Sequence, residues 1–206
     1  MEKIIDKIPE IKNARYNYHV LKRNLNKERR KIKSLYKKYY FINMITSKDV
    51  DDHELEGYIL QLFQDLAYKT KKPNKRDLDV IVSLNSSIIG IEVKNGNLPS
   101  ENDMFQARKY AIRHLKNTNK IMHPLTVWNN AKTGQKFDSF RIIDAEENLY
   151  GIITTSELLK GYLKVKQKTL NLKTFDYLIN KTGLIKFSNS ILKKLDSSVN
   201  GYSITS

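Results

Sequence analysis

RDLDVIVSLNSSIIGIEVKNG, residues 76–96, is the stretch on which the fold turns. Two runs rich in Val and Ile, 78–84 and 88–94, flank the polar turn Asn85-Ser86-Ser87, a pattern that predicts a β-hairpin. Side chains alternate faces along a strand, so Glu92 and Lys94 point one way while Ile91 and Val93 point into the opposite layer. An acid and an amine are thereby fixed side by side at the end of an apolar strand. Asp79 opens the partner strand and falls near that end, giving two carboxylates and one ammonium in a small space. Asp77 shares the face of Asp79, one residue pair further out, and is a second acid able to assist it. Two carboxylates at close range repel, and a divalent cation is the usual means of keeping both ionised. Mg²⁺ prefers such an oxygen pair, completed by waters and a substrate phosphate. The plainer alternative is a solvated strand face held by ordinary ion pairs. Against it, both strands are apolar enough to be covered on both sides, where a charge cluster needs a reason.

Outward from the hairpin, the acidic stretch SKDVDDHELEG supplies an Asp cap and first-turn carboxylates ahead of Leu55, Ile59, Leu62, Phe63 and Leu66, predicting a helix over 52–69. On the other side, Pro99, Ser100 and Asn102 precede a helical pattern through Met104, Phe105, Ala107, Tyr110, Ala111 and Leu115. LTVWN (125–129), FRIIDA (140–145) and LYGIIT (149–154) read as short strands, the last two joined by a tight turn at Glu146-Glu147-Asn148. Thr154 and Glu157 have capping-box spacing and open a helix through Leu158, Leu159, Tyr162 and Leu163. Residues 170–196 read as two short helices and 197–206 as a polar tail. The order is that of a mixed α/β layer around a central sheet.

The N-terminal fifth is different. Residues 1–40 hold 13 Lys/Arg and 4 Asp/Glu, a net +9 out of the +15 of the whole 206-residue chain. Apolar residues recur every seven at Ile4, Ile11, Tyr18, Leu25, Ile32 and Tyr39, with Ala14, Leu21 and Leu35 three later. Pro9 starts or breaks the helix, which is placed over about 10–44. Residues 1–45 thus read as a basic helical arm able to form a coiled coil, and 46–196 as the α/β domain. A Lys-rich helix is often only a soluble helix. Here, however, Arg15, Lys22, Arg23, Arg29, Arg30, Lys33, Lys37 and Lys38 lie among Tyr16, Tyr36 and Tyr40, a mixture suited to phosphate contact with some stacking. Such contact is independent of base sequence. The seam itself needs a partner, either the same helix of a second chain or the chain's own core, and a homodimer is the expectation.

Several classes are excluded. Zero cysteines remove a disulfide framework, a thiolate zinc site and a Cys nucleophile. His19, His53, His114 and His123 show no ligand spacing, although His53 sits between Asp52 and Glu54. No Gly-rich phosphate loop and no Ser/His/Asp set appears. The N-terminus MEKIIDKIPEIK lacks the apolar run of a secretory signal, and no segment approaches a membrane span. The expectation is an intracellular protein that does not enter a membrane.

Asp79 at the start of one strand, followed by Glu92-Val93-Lys94 on the next, resembles the core of the PD-(D/E)XK nuclease superfamily. ELEGYILQLFQDLAY looks like its first helix, with Glu56 ahead of Ile59, Leu62 and Phe63, and ENDMFQARKYA looks like the following helix, where Gln106 faces the site. Leu78 stands where the superfamily often has Pro. In appearance the arrangement is most similar to archaeal Holliday-junction resolvases and the small nucleases of archaeal spindle-shaped viruses, and a viral origin would put it in host cytoplasm. The resemblance covers about 54–115. It implies a restriction-endonuclease-like α/β fold with a mixed central sheet flanked by helices. It also implies a metal-dependent DNA endonuclease in which Asp79, Glu92 and the carbonyl of Val93 hold Mg²⁺ or Mn²⁺, with Glu56 a candidate for a second ion. Lys94 would position or deprotonate the attacking water, and Gln106 would orient water or a phosphate oxygen. For Glu56 the alternative is a plain helix-dipole role, and for Gln106 a surface amide. Beside the nuclease stands a non-catalytic DNA-binding protein of architectural or regulatory use, and an RNA-directed nuclease shares every residue argument.

Overall fold

The hairpin forms where the β-branched runs meet. In the computed structural model, which describes residues 9–73, 78–84 and 87–188, Val80–Ser83 (β2) pairs antiparallel with Ile88–Asn95 (β3), Val80 opposite Ile91. Asp77 and the turn residues Asn85 and Ser86 lie outside the described residues. A short edge strand, Lys69–Lys71 (β1), pairs antiparallel with β2. On the far side of β3 come His123–Asn129 (β4), Gly151–Thr154 (β5) and Gly183–Leu184 (β6), each parallel to its neighbour. The six strands run in chain order. This is the restriction-endonuclease-like mixed sheet.

Helices cover both faces. The even-numbered side of β3 meets Glu101–Thr118 (α3), whose Met104, Ala107 and Ala111 are buried. There Gly90 is a close-approach position, because a Cβ on it would come within 2.4 Å of Leu78 Cδ1 and Met122 Sδ. Trp128 lies on the same face, packed edge-on against Phe137 and donating Nε1–H to the Gly96 carbonyl at 3.1 Å. The opposite face buries Leu55, Ile59, Leu62 and Phe63 of Asp52–Asp65 (α2), Leu158 and Tyr162 of Thr155–Lys166 (α5), and Phe175 of Leu172–Ile179 (α6). Phe63, Tyr68, Phe175 and Phe187 form one aromatic cluster on this side. Tyr68 donates its hydroxyl to the buried Asp176 carboxylate.

FRIIDA, read from sequence as a strand, is instead the core of a helix, Ser139–Glu147 (α4). Asp138 caps it, accepting from Arg141 N–H at 2.9 Å, and only Ala145 is buried while Phe140 and Ile143 are exposed. With this face outward, the Asp138 cap outweighs the β preference of Ile142 and Ile143. The expected hairpin of 140–154 is therefore a helix followed by a parallel strand. The first of the two helices expected in 170–196 is Leu172–Ile179, after which Gly183–Leu184 adds the short strand β6; the remainder of that expectation, from 189 onward, lies outside the described residues.

The chain divides into two compact units, residues 1–40 and 41–206. The described part of the first is one helix, most of Pro9–Met44 (α1), and Phe41 and Ile45 belong to the core of the second. No helix among the described residues is long and apolar enough to cross a membrane.

Candidate active site

The cleft lies at one end of the β2–β3 hairpin, where Gly96 takes a φ of +88° that turns the chain sharply away after Asn95. Its volume is about 430 Å³, and Glu56, Asp79, Glu92, Lys94, Asn97 and Asp103 are among its lining residues. Asn95 and Asn129 brace it from behind. Asn95 donates to the Val50 carbonyl at 2.8 Å and Asn129 to the Ser47 carbonyl at 2.9 Å, fixing the start of α2 against the sheet.

Asp79 sits one residue before β2, its N–H bonded to the Ile91 carbonyl at 3.1 Å, and its Oδ2 accepts from Val93 N–H at 2.7 Å. Burial pushes its carboxyl above the ordinary range. The Val93 hydrogen bond works against that, and the Glu56 carboxylate adds to it. Glu92 is 3% exposed. Its Oε1 accepts from Lys94 Nζ at 3.0 Å, while its Oε2 is buried without a hydrogen-bond partner among the described residues. Burial, followed by the charge of Asp79, pushes Glu92 up to about 7. Lys94 is held from two further sides, by Gln106 Oε1 at 3.3 Å and Asp103 Oδ1 at 3.5 Å. Burial disfavours its ammonium, but the Glu92 hydrogen bond and the surrounding carboxylates prevail and raise its pKa, so Lys94 is charged at neutral pH.

Asp103 is the member that sequence reasoning missed. It is the third residue of α3 and completes a capping box, accepting from Ser100 N–H at 2.9 Å while Ser100 Oγ accepts from its own N–H at 3.2 Å. The Ser-x-x-Asp spacing was the available signal, since the cap places its carboxylate one turn before Gln106. Gln106 lies on that same face and is half-buried, with Nε2 3.4 Å from the Tyr110 hydroxyl. Glu56 stands across the cleft and is paired with Lys72 Nζ at 2.6 Å and His53 Nδ1 at 3.4 Å. Glu54, by contrast, is exposed at the start of α2.

Among the described residues no group of three or more His, Asp or Glu side chains is set to hold a metal ion. The donors present nevertheless fit one. An unpartnered buried carboxylate oxygen on Glu92, beside a second carboxylate that raises its pKa, leaves a defect that a hard cation with its own waters would relieve.

On α1, Lys22, Arg23, Arg29, Arg30, Lys33 and Lys37 are all exposed, and the side chains of Arg15 and Lys38 lie outside the described residues.

No family model matches the chain, and no curated protein matches it. Among solved structures it is similar to restriction endonuclease FokI bound to DNA, at 16% identity and a TM-score of 0.55 over 73% of this chain and 30% of that one. It is also similar to a second structure of restriction endonuclease FokI, at 16% identity and a TM-score of 0.52 over 66% of this chain and 28% of that one. The chain thus spans less than a third of the length of those endonucleases, and the likeness carries the fold.

Proposed function

We propose that the cleft is the active site of a divalent-metal-dependent endonuclease acting on DNA. The observation that carries this reading is Glu92. It is an almost fully buried carboxylate with one unpartnered oxygen, aligned on one strand face with Lys94, close to Asp79 and opening on a cleft. Asp79, Glu92 and the Val93 carbonyl would hold Mg²⁺ or Mn²⁺, and Glu56 is the candidate for a second ion. Such an ion would supply polarisation of the scissile phosphate and acidification of a water.

The chain's own residues do the rest. Lys94, protonated and clamped between Glu92, Asp103 and Gln106, donates hydrogen bonds to the attacking water or to a phosphate oxygen and offsets the charge that builds on the phosphate. Its raised pKa supports this positioning role over that of a free base. Gln106 fixes the direction of the ammonium through Oε1, its Nε2 lying 3.4 Å from the Tyr110 hydroxyl. The exposed cations of α1, Lys22, Arg23, Arg29, Arg30, Lys33 and Lys37, together with Arg15 and Lys38, supply backbone contacts that anchor DNA without reading its bases.

The likeness to enzymes that resolve branched DNA rests on the sequence of residues 54–115. It makes structure-selective cutting the finer form of the proposal. Cleavage of a four-way junction, a flap, a linear duplex and a single strand, with unlabelled RNA as competitor, tests it. Preferential cutting of branched DNA supports the selective form. Effective RNA competition with RNA cleavage would move the substrate class.

A further inference from the structure

We infer that α1 pairs with the same helix of a second copy of this chain, parallel and in register, as a two-stranded coiled coil. This interface is independent of the chemistry of the cleft. The described part of the first unit is a single helix, so among the described residues its apolar stripe has no second element of that unit to pack on. The stripe is in the open. Tyr18 is 59% exposed, Leu21 68%, Leu25 53%, Ile32 66% and Leu35 56%. These residues span about 26 Å at the rise of an α-helix. Spaced alternately by three and four residues apart from the Glu28 layer, they form a narrow a/d seam rather than a broad amphipathic face. A helix of this length in water draws its stability chiefly from packing such a seam.

The charges flanking the seam select both the occupant and its direction. With Tyr18, Leu25 and Ile32 at a, and Leu21, Glu28 and Leu35 at d, the preceding g positions are Asn17, Asn24 and Lys31, and the e positions are Lys22, Arg29 and Tyr36. In a parallel, in-register pair each g residue faces the e residue five further along the other chain. Asn17 then meets Lys22, Asn24 meets Arg29 and Lys31 meets Tyr36, so no cation opposes a cation. In an antiparallel pair e faces e, which sets Lys22 against Arg29. Glu28 is the one acid of the seam: the parallel form sets it against Glu28 of the second copy in a single d layer, where Lys31, 2.7 Å away in its own chain, and Arg29 of the second copy offset the paired charge. The remaining exposed cations of this stretch, Arg23, Lys27, Arg30, Lys33 and Lys37, fall outside the seam and stay available to phosphates. Their mutual repulsion opposes pairing, so the dimer tightens as salt screens it.

The test uses the full chain, stripped of nucleic acid, in about 0.5 M salt, where charges further apart than a few Å are screened. Sedimentation equilibrium at tens of micromolar should give twice the chain mass. Leu25→Asp with Ile32→Asp, both at exposed positions that leave the core of the second unit intact, should give the monomer mass with unchanged thermal unfolding of the sheet domain. The chain has no cysteine, so Leu25→Cys introduces a sole thiol that should form an interchain disulfide under mild oxidation if the helices run parallel and in register. A monomeric wild type, or a dimer indifferent to the two Asp substitutions, overturns the pairing. A dimer in which Leu25→Cys does not cross-link overturns its direction.

Discussion

Replacing Glu92 by Gln should make the metal-free protein more stable at neutral pH, although it removes a residue at the centre of the cleft. The glutamate is buried, its Oε2 has no hydrogen-bond partner among the described residues, and burial with the Asp79 charge raises its carboxyl from 4.5 to about 7. The sign follows from proton binding. Below pH 4.5 the group is protonated in both folded and unfolded chains and its contribution is complete. Between 4.5 and 7 the unfolded chain gives up the proton while the folded chain keeps it, and stability falls. Above 7 the folded protein carries the buried charge and the contribution is gone. A displacement of that size corresponds to about 3 kcal/mol, an upper figure because Lys94 keeps one oxygen partnered. Gln keeps the shape and the neutral state at every pH. Urea unfolding in EDTA across this range should show wild type losing up to about 3 kcal/mol more than Glu92→Gln as pH rises. Ca²⁺ added at alkaline pH should then restore wild type by mass action and leave the variant unmoved. Parallel pH profiles for the two proteins would refute the reasoning, as would equal stabilisation of both by Ca²⁺.

Lys94→Ala should lower single-turnover cleavage by about 100-fold or more, because an electrostatic contact to the reacting phosphate is removed. Its DNA affinity in Ca²⁺, read by gel shift, should stay within a few-fold of wild type. Glu56→Gln should raise the Mn²⁺ concentration needed for half-maximal cutting, whereas Glu54→Gln, exposed at the helix start, should not. Equal effects would return both residues to a helix-dipole role. In α5, Gly161→Ala gains about 1 kcal/mol of helix propensity. It also puts a Cβ 2.7 Å from the buried Phe187 ring, so the net result in thermal unfolding should be a lower midpoint.

How legible the molecule is in its sequence depends on how local each signal is. The hairpin, its facing of Glu92 with Lys94, and the placement of Asp79 were readable, because alternation along a strand is local and the turn residues bound it. The strand LTVWN was readable as well, and it is β4, with Trp128 fully buried. The caps at Asp51, Ser100 and Thr154 mark real helix starts. FRIIDA was misread because two adjacent isoleucines look the same in a strand as on the half-exposed side of a helix, and only the Asp138 cap told them apart. The edge strands β1 and β6, three and two residues long, carry too few positions for any period to show. The grip of Asp103 on Lys94 and of Lys72 on Glu56 depends on how α3 and the segment after α2 fold back over the hairpin end. Such contacts are set by tertiary packing, and residue spacing in the chain does not encode them.

The central claim is that Asp79, Glu92 and Lys94 form a metal-dependent phosphodiesterase site, and nicking of supercoiled plasmid measures it most directly. Wild type with Mg²⁺ or Mn²⁺ should convert supercoiled DNA to open circle and linear forms and do neither in EDTA. Glu92→Gln and Lys94→Ala, folded and still shifting the plasmid in Ca²⁺, should leave it supercoiled. A wild-type protein that binds DNA and cuts none of the branched or linear forms offered with either metal would contradict the account, and so would variants that nick at the wild-type rate.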